Sequence, residues 1–348
     1  MPSTYKNIDP SDVITNKVNL YEAIPITGSI VSGAYADSNI KNYSHGMFQS
    51  VYDYNYLSSS ANPIFDITVC YSANSALSSS ASSQNAKKIN MYNTLAKTLM
   101  GSDETGSIRE FDEDGDLTGG TKLREVVVLN FNRIIQKDEL KKGNFQLNLG
   151  VSGSYSDPMS QRVLIQDSNG TTNYRTNSAV GEYGILTASN NADSPLDGNN
   201  QVCGLIFYQA GVAVLTASVF GSLLSSSAEL NSSAETVDAI LTGSTIQQGA
   251  DALRHRFYDL DLQNTTKLYS TQYICRINHN EFNYSSNPSY LSESKVRTKI
   301  KASDAPVSYF TSVVLYSPDN KPLAVGKLSE PIKKDSNNDL SIRLRTDF

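Results

Sequence analysis

The sequence predicts a mainly β protein of β-sandwich-like modules with a few short helices, α+β overall. Three observations carry this. Charged residues make up only 18% of the 348, against about 25% in an ordinary globular chain, and uncharged Ser, Asn and Thr fill the difference. Apolar residues come in short runs bounded by Ser, Asn, Asp, Gly and Pro, as strands separated by turns do. Helical periodicity is strong in one stretch, Asn85–Met100.

Taken in order, residues 1–62 form a polar arm with scattered Tyr, in which Leu20–Val31 gives a short strand or two around Pro25. Residues 63–268 form a β-rich central domain. Its first strand is Pro63–Tyr71, followed by the small-residue tract SANSALSSSASSQ, which reads as a loop or exposed linker. In Asn85–Met100, Ile89, Tyr92, Leu95, Ala96 and Leu99 recur at three- and four-residue steps. Lys87, Lys88 and Lys97 lie off that stripe and Gly101 supplies a C-terminal cap. Asp112, Glu113, Asp114 and Asp116 then form an acidic loop, read as solvated, with a weak metal site as the alternative. Counted as a calcium loop from Asp112, Gly115 comes too early and no Glu stands at the twelfth place.

Strands resume at Leu123, with Phe145, Leu147 and Leu149 alternating on one face and further short strands at Arg162–Gln166 and Tyr183–Thr187. Val202–Leu224 is uncharged and long enough to cross a bilayer. No Lys or Arg flanks it, and Gln209–Gly211 breaks it, which favours two buried strands, Val202–Tyr208 and Val212–Phe220, over a membrane span. Short helices follow at 234–241 and 245–257.

Residues 269–348 form a C-terminal β module: strand Thr271–Ile277, a polar-aromatic loop from His279 to Leu291, strands Val307–Tyr316 and Pro322–Leu328 about the turn SPDNK, and a closing strand alternating Ile342 and Leu344 with Arg343 and Arg345. In the loop, Phe282, Tyr284 and Tyr290 are candidate interface anchors and Asn287 helps fix its shape. A loop folded back over the module is the alternative reading.

The runs NEFNYSSNPSY and SYFTSVVLYSPDNKPLAVGKLSEPIKK and the closing RLRTDF resemble a C-terminal module in structural proteins of tailed bacteriophages, especially the T4-like myoviruses of marine cyanobacteria. This chain has Val314 where that pattern has Gly, and Gly326 where it has Ala. The resemblance implies a non-enzymatic structural part of the virion, in the tail, baseplate or neck, made in the host cytoplasm. Its partners would be other virion proteins and copies of itself in a symmetric ring or spike. A receptor- or glycan-binding surface protein of the virion, or a head decoration protein, is the alternative.

Other classes fare poorly. A net charge of −6 gives no general attraction to nucleic acid. Three His leave few general bases, and no GxSxG, HExxH, P-loop or post-strand GxGxxG occurs. A wall-degrading hydrolase would need paired carboxylates in a rigid cleft, and the acidic loop is the single dense cluster. No catalytic residue, cofactor or metal is expected. Cys70, Cys203 and Cys275 lack metal-site spacing and read as small buried hydrophobes. The polar start MPSTYKNIDPSD carries no secretory signal pattern.

Overall fold

The structure, a computed structural model, describes residues 5–27, 37–79, 82–151, 159–189, 201–220, 224–225, 234–235, 237–254, 256–285, 291–292, 295–296 and 306–348. In chain order the strands are β1 (Val13–Thr27), β2 (Ile40–Asn42), β3 (Gln49–Tyr52), β4 (Pro63–Tyr71), β5 (Phe111–Asp112), β6 (Lys122–Leu123), β7 (Glu125–Phe131), β8 (Glu139–Leu140), β9 (Gln146–Gly150), β10 (Arg162–Gln166) and β11 (Arg175–Ser178). Then come β12 (Gly181–Ser189), β13 (Gln201–Phe207), β14 (Val212–Thr216), β15 (Leu224–Ser225), β16 (Ala234–Glu235), β17 (Phe257–Ile277), β18 (Leu291–Ser292), β19 (Lys295–Val296), β20 (Ser308–Tyr316), β21 (Pro322–Lys334) and β22 (Leu340–Asp347). The helices are α1 (Ser83–Leu99), α2 (Arg133–Gln136), α3 (Val237–Gly243) and α4 (Ile246–Arg254). The chain is therefore mainly β with short helices.

Two compact units form, Leu20–Thr266 and Met1–Asn19 with Lys267–Phe348. A 14-stranded sheet runs in the order β1-β17-β9-β10-β12-β13-β14-β7-β4-β3-β2, with β8 and β22 also on β17 and β11 on β12. β2 and β3 lie inside the first 62 residues and join the sheet in series, β2 pairing antiparallel with β3 and β3 with β4.

In the larger unit the central strands are buried on both faces. Val127, Leu129, Ile206, Ala213 and Leu215 face one core with Ile246, Ala250 and Leu253 of α4. Val126, Val128, Leu205, Phe207, Val212 and Val214 face another with Tyr92, Ala96 and Leu99 of α1. Because alternate residues enter different cores, these strands read as unbroken apolar runs. The rings of Phe65 on β4 and Phe257 on β17 lie 5.5 Å apart, although seven steps separate their strands in the sheet. The sheet thus folds over on itself into a sandwich-like core. Phe145, Leu147 and Leu149 enter that core together, as their alternation predicts.

Val202–Leu224 supplies the hairpin β13–β14, with Gly204 opposite Leu215 and Phe207 opposite Val212. Residues Ala217–Phe220 leave the strand as a 3-10 turn. Among the described residues no helix is long and apolar enough to cross a membrane.

Three expectations change. The buried face of α1 is Asn85, Lys88, Tyr92, Ala96 and Leu99, so Lys88 lies on the stripe. Its ammonium donates to the carbonyls of Leu241 and Ser244, which caps the carbonyl end of α3, a place that suits a cation. Burial pushes this amine down to about 8. The serine tract is also no free linker. Ser72 and Ser75 are buried and donate to the carboxylates of Glu110 and Glu125, while Ser82 caps α1 by accepting from the Asn85 N–H at 3.2 Å. Finally, the arm's strand is longer than Leu20–Val31 implies, with β1 beginning at Val13.

Cys70 and Cys203 are buried and Cys275 half-buried, all as free thiols. Burial drives the Cys70 and Cys203 thiols well above their ordinary range.

Candidate functional site

Of the four candidate interface residues, Phe282 and Tyr284 stand on the loop leaving β17, while Asn287 and Tyr290 lie outside the described residues. The loop root is firmly built. Lys334, fully buried at the end of β21, donates to the His279 carbonyl at 3.1 Å, to Asn283 Oδ1 at 2.6 Å and to the Asp335 carbonyl at 2.7 Å. The Ser308 hydroxyl donates to the Phe282 carbonyl. Glu281 accepts from Lys6 and from the Asn278 N–H, and these contacts, Lys6 first, hold its carboxyl below the usual range. Phe282 takes a left-handed φ of 51°, uncommon for a bulky residue, and meets Phe310 edge-on at 6.3 Å. Phe282 therefore touches β20 yet stays 37% exposed, and Tyr284 is 51% exposed. Sequence pattern identifies the aromatic loop, but Lys334, which clamps it from 50 residues away, has no local signal.

The same unit carries much uncovered apolar surface. Strands β20 and β21 form a hairpin of their own, closed by the predicted turn, where the Asn320 N–H donates to the Ser317 carbonyl at 2.9 Å. Leu323 and Val325 are exposed, as are Tyr309, Tyr316 and the terminal Phe348. A hollow there is lined by Tyr273, Leu315, Tyr316, Leu323 and Phe348. Gly326, where the resembled pattern has Ala, gives the Leu344 side chain room, since a Cβ at 326 would come within 2.6 Å of Leu344 Cδ1.

Strand β1 is the more unusual surface. It ends the sheet order, with β17 as its one neighbour in the sheet among the described residues, and every residue from Val13 to Ala23 is exposed. Val13, Ile14, Val18, Leu20 and Tyr21 are among them. A long apolar edge strand is a template for pairing with another chain. Lys17 and Glu22 are its charged positions: Lys17 lies 5.7 Å from the Tyr269 ring and Glu22 pairs with Lys137.

The acidic loop differs from the solvated loop the sequence predicts. Asp112 is fully buried, for it belongs to β5, which pairs with β6 so that Asp112 stands opposite Lys122. Lys122 Nζ lies 2.9 Å from Asp112 Oδ2, which also accepts the Leu117 N–H at 2.7 Å. Carboxylate oxygens of Asp112, Asp114 and Asp116 come within 4.8 Å of one another, closer than the roughly 5–9.5 Å carboxyl spacings of glycosidases.

His45 stacks on Tyr43 at 5.2 Å and its Nδ1 accepts the Met47 N–H. His279 is exposed, 3.7 Å from Asp339, and His255 lies outside the described residues. Compared with known protein families, curated proteins and solved structures, the chain matches none of them.

Proposed function

We propose that this protein is a structural subunit that works by assembly, in the tail, baseplate or neck of a tailed-phage virion. The observation that carries the assembly part is β1, a 15-residue edge strand on which Val13, Ile14, Val18, Leu20 and Tyr21 stay exposed among the described residues. Burying such a strand against a neighbour would add ladder hydrogen bonds and remove apolar area from water, the usual mode of strand addition. The exposed β20–β21 hairpin supports the same reading, because an isolated two-stranded sheet is marginal in water. The phage assignment rests on the C-terminal resemblance alone.

The test pairs purified protein with particles. Wild type should sediment as a defined oligomer, and Ile14→Lys/Val18→Lys should sediment as a folded monomer. A wild type that stays monomeric at high concentration would end the assembly reading. Phage particles whose protein complement, read by mass spectrometry, lacks this chain would end the virion reading.

A further inference from the structure

We propose that the loop from Asp112 to Lys122 is a calcium site. It is built on the β5–β6 pair, and its neck is closed by the Glu113 N–H donating to the Thr121 carbonyl at 3.1 Å. Two of the loop's carbonyls are already engaged. Arg175 donates to the Asp114 carbonyl through Nε and Nη2, and Asn177 donates to the Gly115 carbonyl at 2.8 Å. Beside them stand three carboxylates, with one oxygen each from Asp112, Asp114 and Asp116 within 4.8 Å of one another.

Two further observations point to a ligand. Asp112 is fully buried, and its Oδ1 has no hydrogen-bond partner among the described residues. A buried carboxylate oxygen left bare is costly. That oxygen also borders an empty space, because a Cβ built on Gly120 would lie 3.7 Å from Asp112 Oδ1 and 3.6 Å from Asp114 Oδ2. The absence of a side chain at Gly120 leaves room where these two oxygens converge.

Charge and donor type then select the ion. Three carboxylates and the Lys122 ammonium sum to −2, which matches a divalent cation. All donors are hard oxygens, the preference of calcium and magnesium rather than zinc. Calcium binds oxygens at about 2.3–2.6 Å, so ligands on opposite sides stand about 5 Å apart, and it tolerates irregular shells completed by water, where magnesium demands a near-ideal octahedron. With Leu123 at the twelfth place instead of a bidentate Glu and Lys122 competing for Asp112, affinity should fall near the weak end of calcium sites, about 10⁻⁴–10⁻³ M. A bound ion would tie the exposed Asp114 and Asp116 to buried Asp112. It would thereby fasten the loop that Arg175 and Asn177 already hold to β11.

The experiment uses the full chain, stripped with a chelator and titrated calorimetrically with calcium or magnesium, with terbium luminescence excited through tyrosine as a second readout. The Tyr183 hydroxyl, 3.3 Å from the Gly115 carbonyl, is a nearby sensitiser. One saturable calcium site is expected, accompanied by a higher melting temperature. Asp114→Asn/Asp116→Asn changes exposed residues only, so its fold should persist while calcium affinity falls about tenfold or more. Should the double variant lose its native circular dichroism, Asp116→Asn alone serves. Lys122→Met, which removes the competing ammonium, should bind calcium more tightly. The proposal is overturned if wild type shows no saturable binding at millimolar calcium, if the Asp variants bind as wild type does, if magnesium binds in preference to calcium, or if Lys122→Met fails to tighten binding.

Discussion

Strands β7 and β1 are both rich in β-branched residues, yet they have opposite fates. In β7, Val126, Val127, Val128 and Leu129 are all buried, their side chains dividing between two cores. In β1, eleven consecutive residues from Val13 to Ala23 are all exposed. The difference is one of place. β7 has β14 and β4 on its two sides, whereas β1 ends the sheet order. Strand propensity alone therefore does not separate a core strand from an exposed edge strand. The interspersed Asn16, Lys17, Asn19 and Glu22 do, because polar and charged side chains keep an exposed edge strand in water.

The comparison can be pressed hardest in the interior. Phe207→Ala empties a site between Phe111 and Tyr183, whose rings lie 6.3 and 5.1 Å away, and should cost about 3–5 kcal/mol in urea unfolding. A loss below about 1 kcal/mol would mean that the interior strands are as loosely held as the edge. Lys334→Met leaves three acceptors at the loop root without their donor and should cost about 1–3 kcal/mol, with faster amide exchange at Asn283.

Lys88 sharpens the comparison through pH. Its amine titrates at about 8 in the folded chain against an ordinary 10.5, so between those values the unfolded chain binds more proton. Stability attributable to Lys88 therefore rises as pH climbs through that window and is lowest below it. The unfolding free energy of wild type minus that of Lys88→Met, followed from pH 7 to 10, should increase; a flat difference would show that the charge is not penalised by burial. Gly326→Ala asks the flexible end of Leu344 to move and should cost less than about 1 kcal/mol, measured by thermal melting. Smallest of all on stability is Ile14→Lys/Val18→Lys, within about 0.5 kcal/mol for surface changes, measured by urea unfolding.

Much of the interior was legible because its signals are local. Tyr92, Ala96 and Leu99 lie one helical turn apart, Gln209–Gly211 interrupts an apolar run, and Pro318, Asp319 and Asn320 mark a turn. The polar contacts were not legible, since each depends on a partner far along the chain. Lys88 is buried because α3 ends beside it, more than 150 residues later. Ser72 and Ser75 are held by glutamates beyond α1, and Asp112 is buried because β5 pairs with β6. The candidate loop divides likewise: its aromatic content is visible in sequence, but the placing of Phe282 follows from Phe310 and Ser308, which lie outside the loop.

The free thiols acquire a use from where they sit. Cys70 belongs to the core under α1 and Cys203 to the core under α4, one on each face of the same sheet. Because only the thiolate reacts, neither should be alkylated until its own face opens. The rates at which the two thiols take up label in native buffer would therefore give separate opening free energies for the two faces, without introducing a probe.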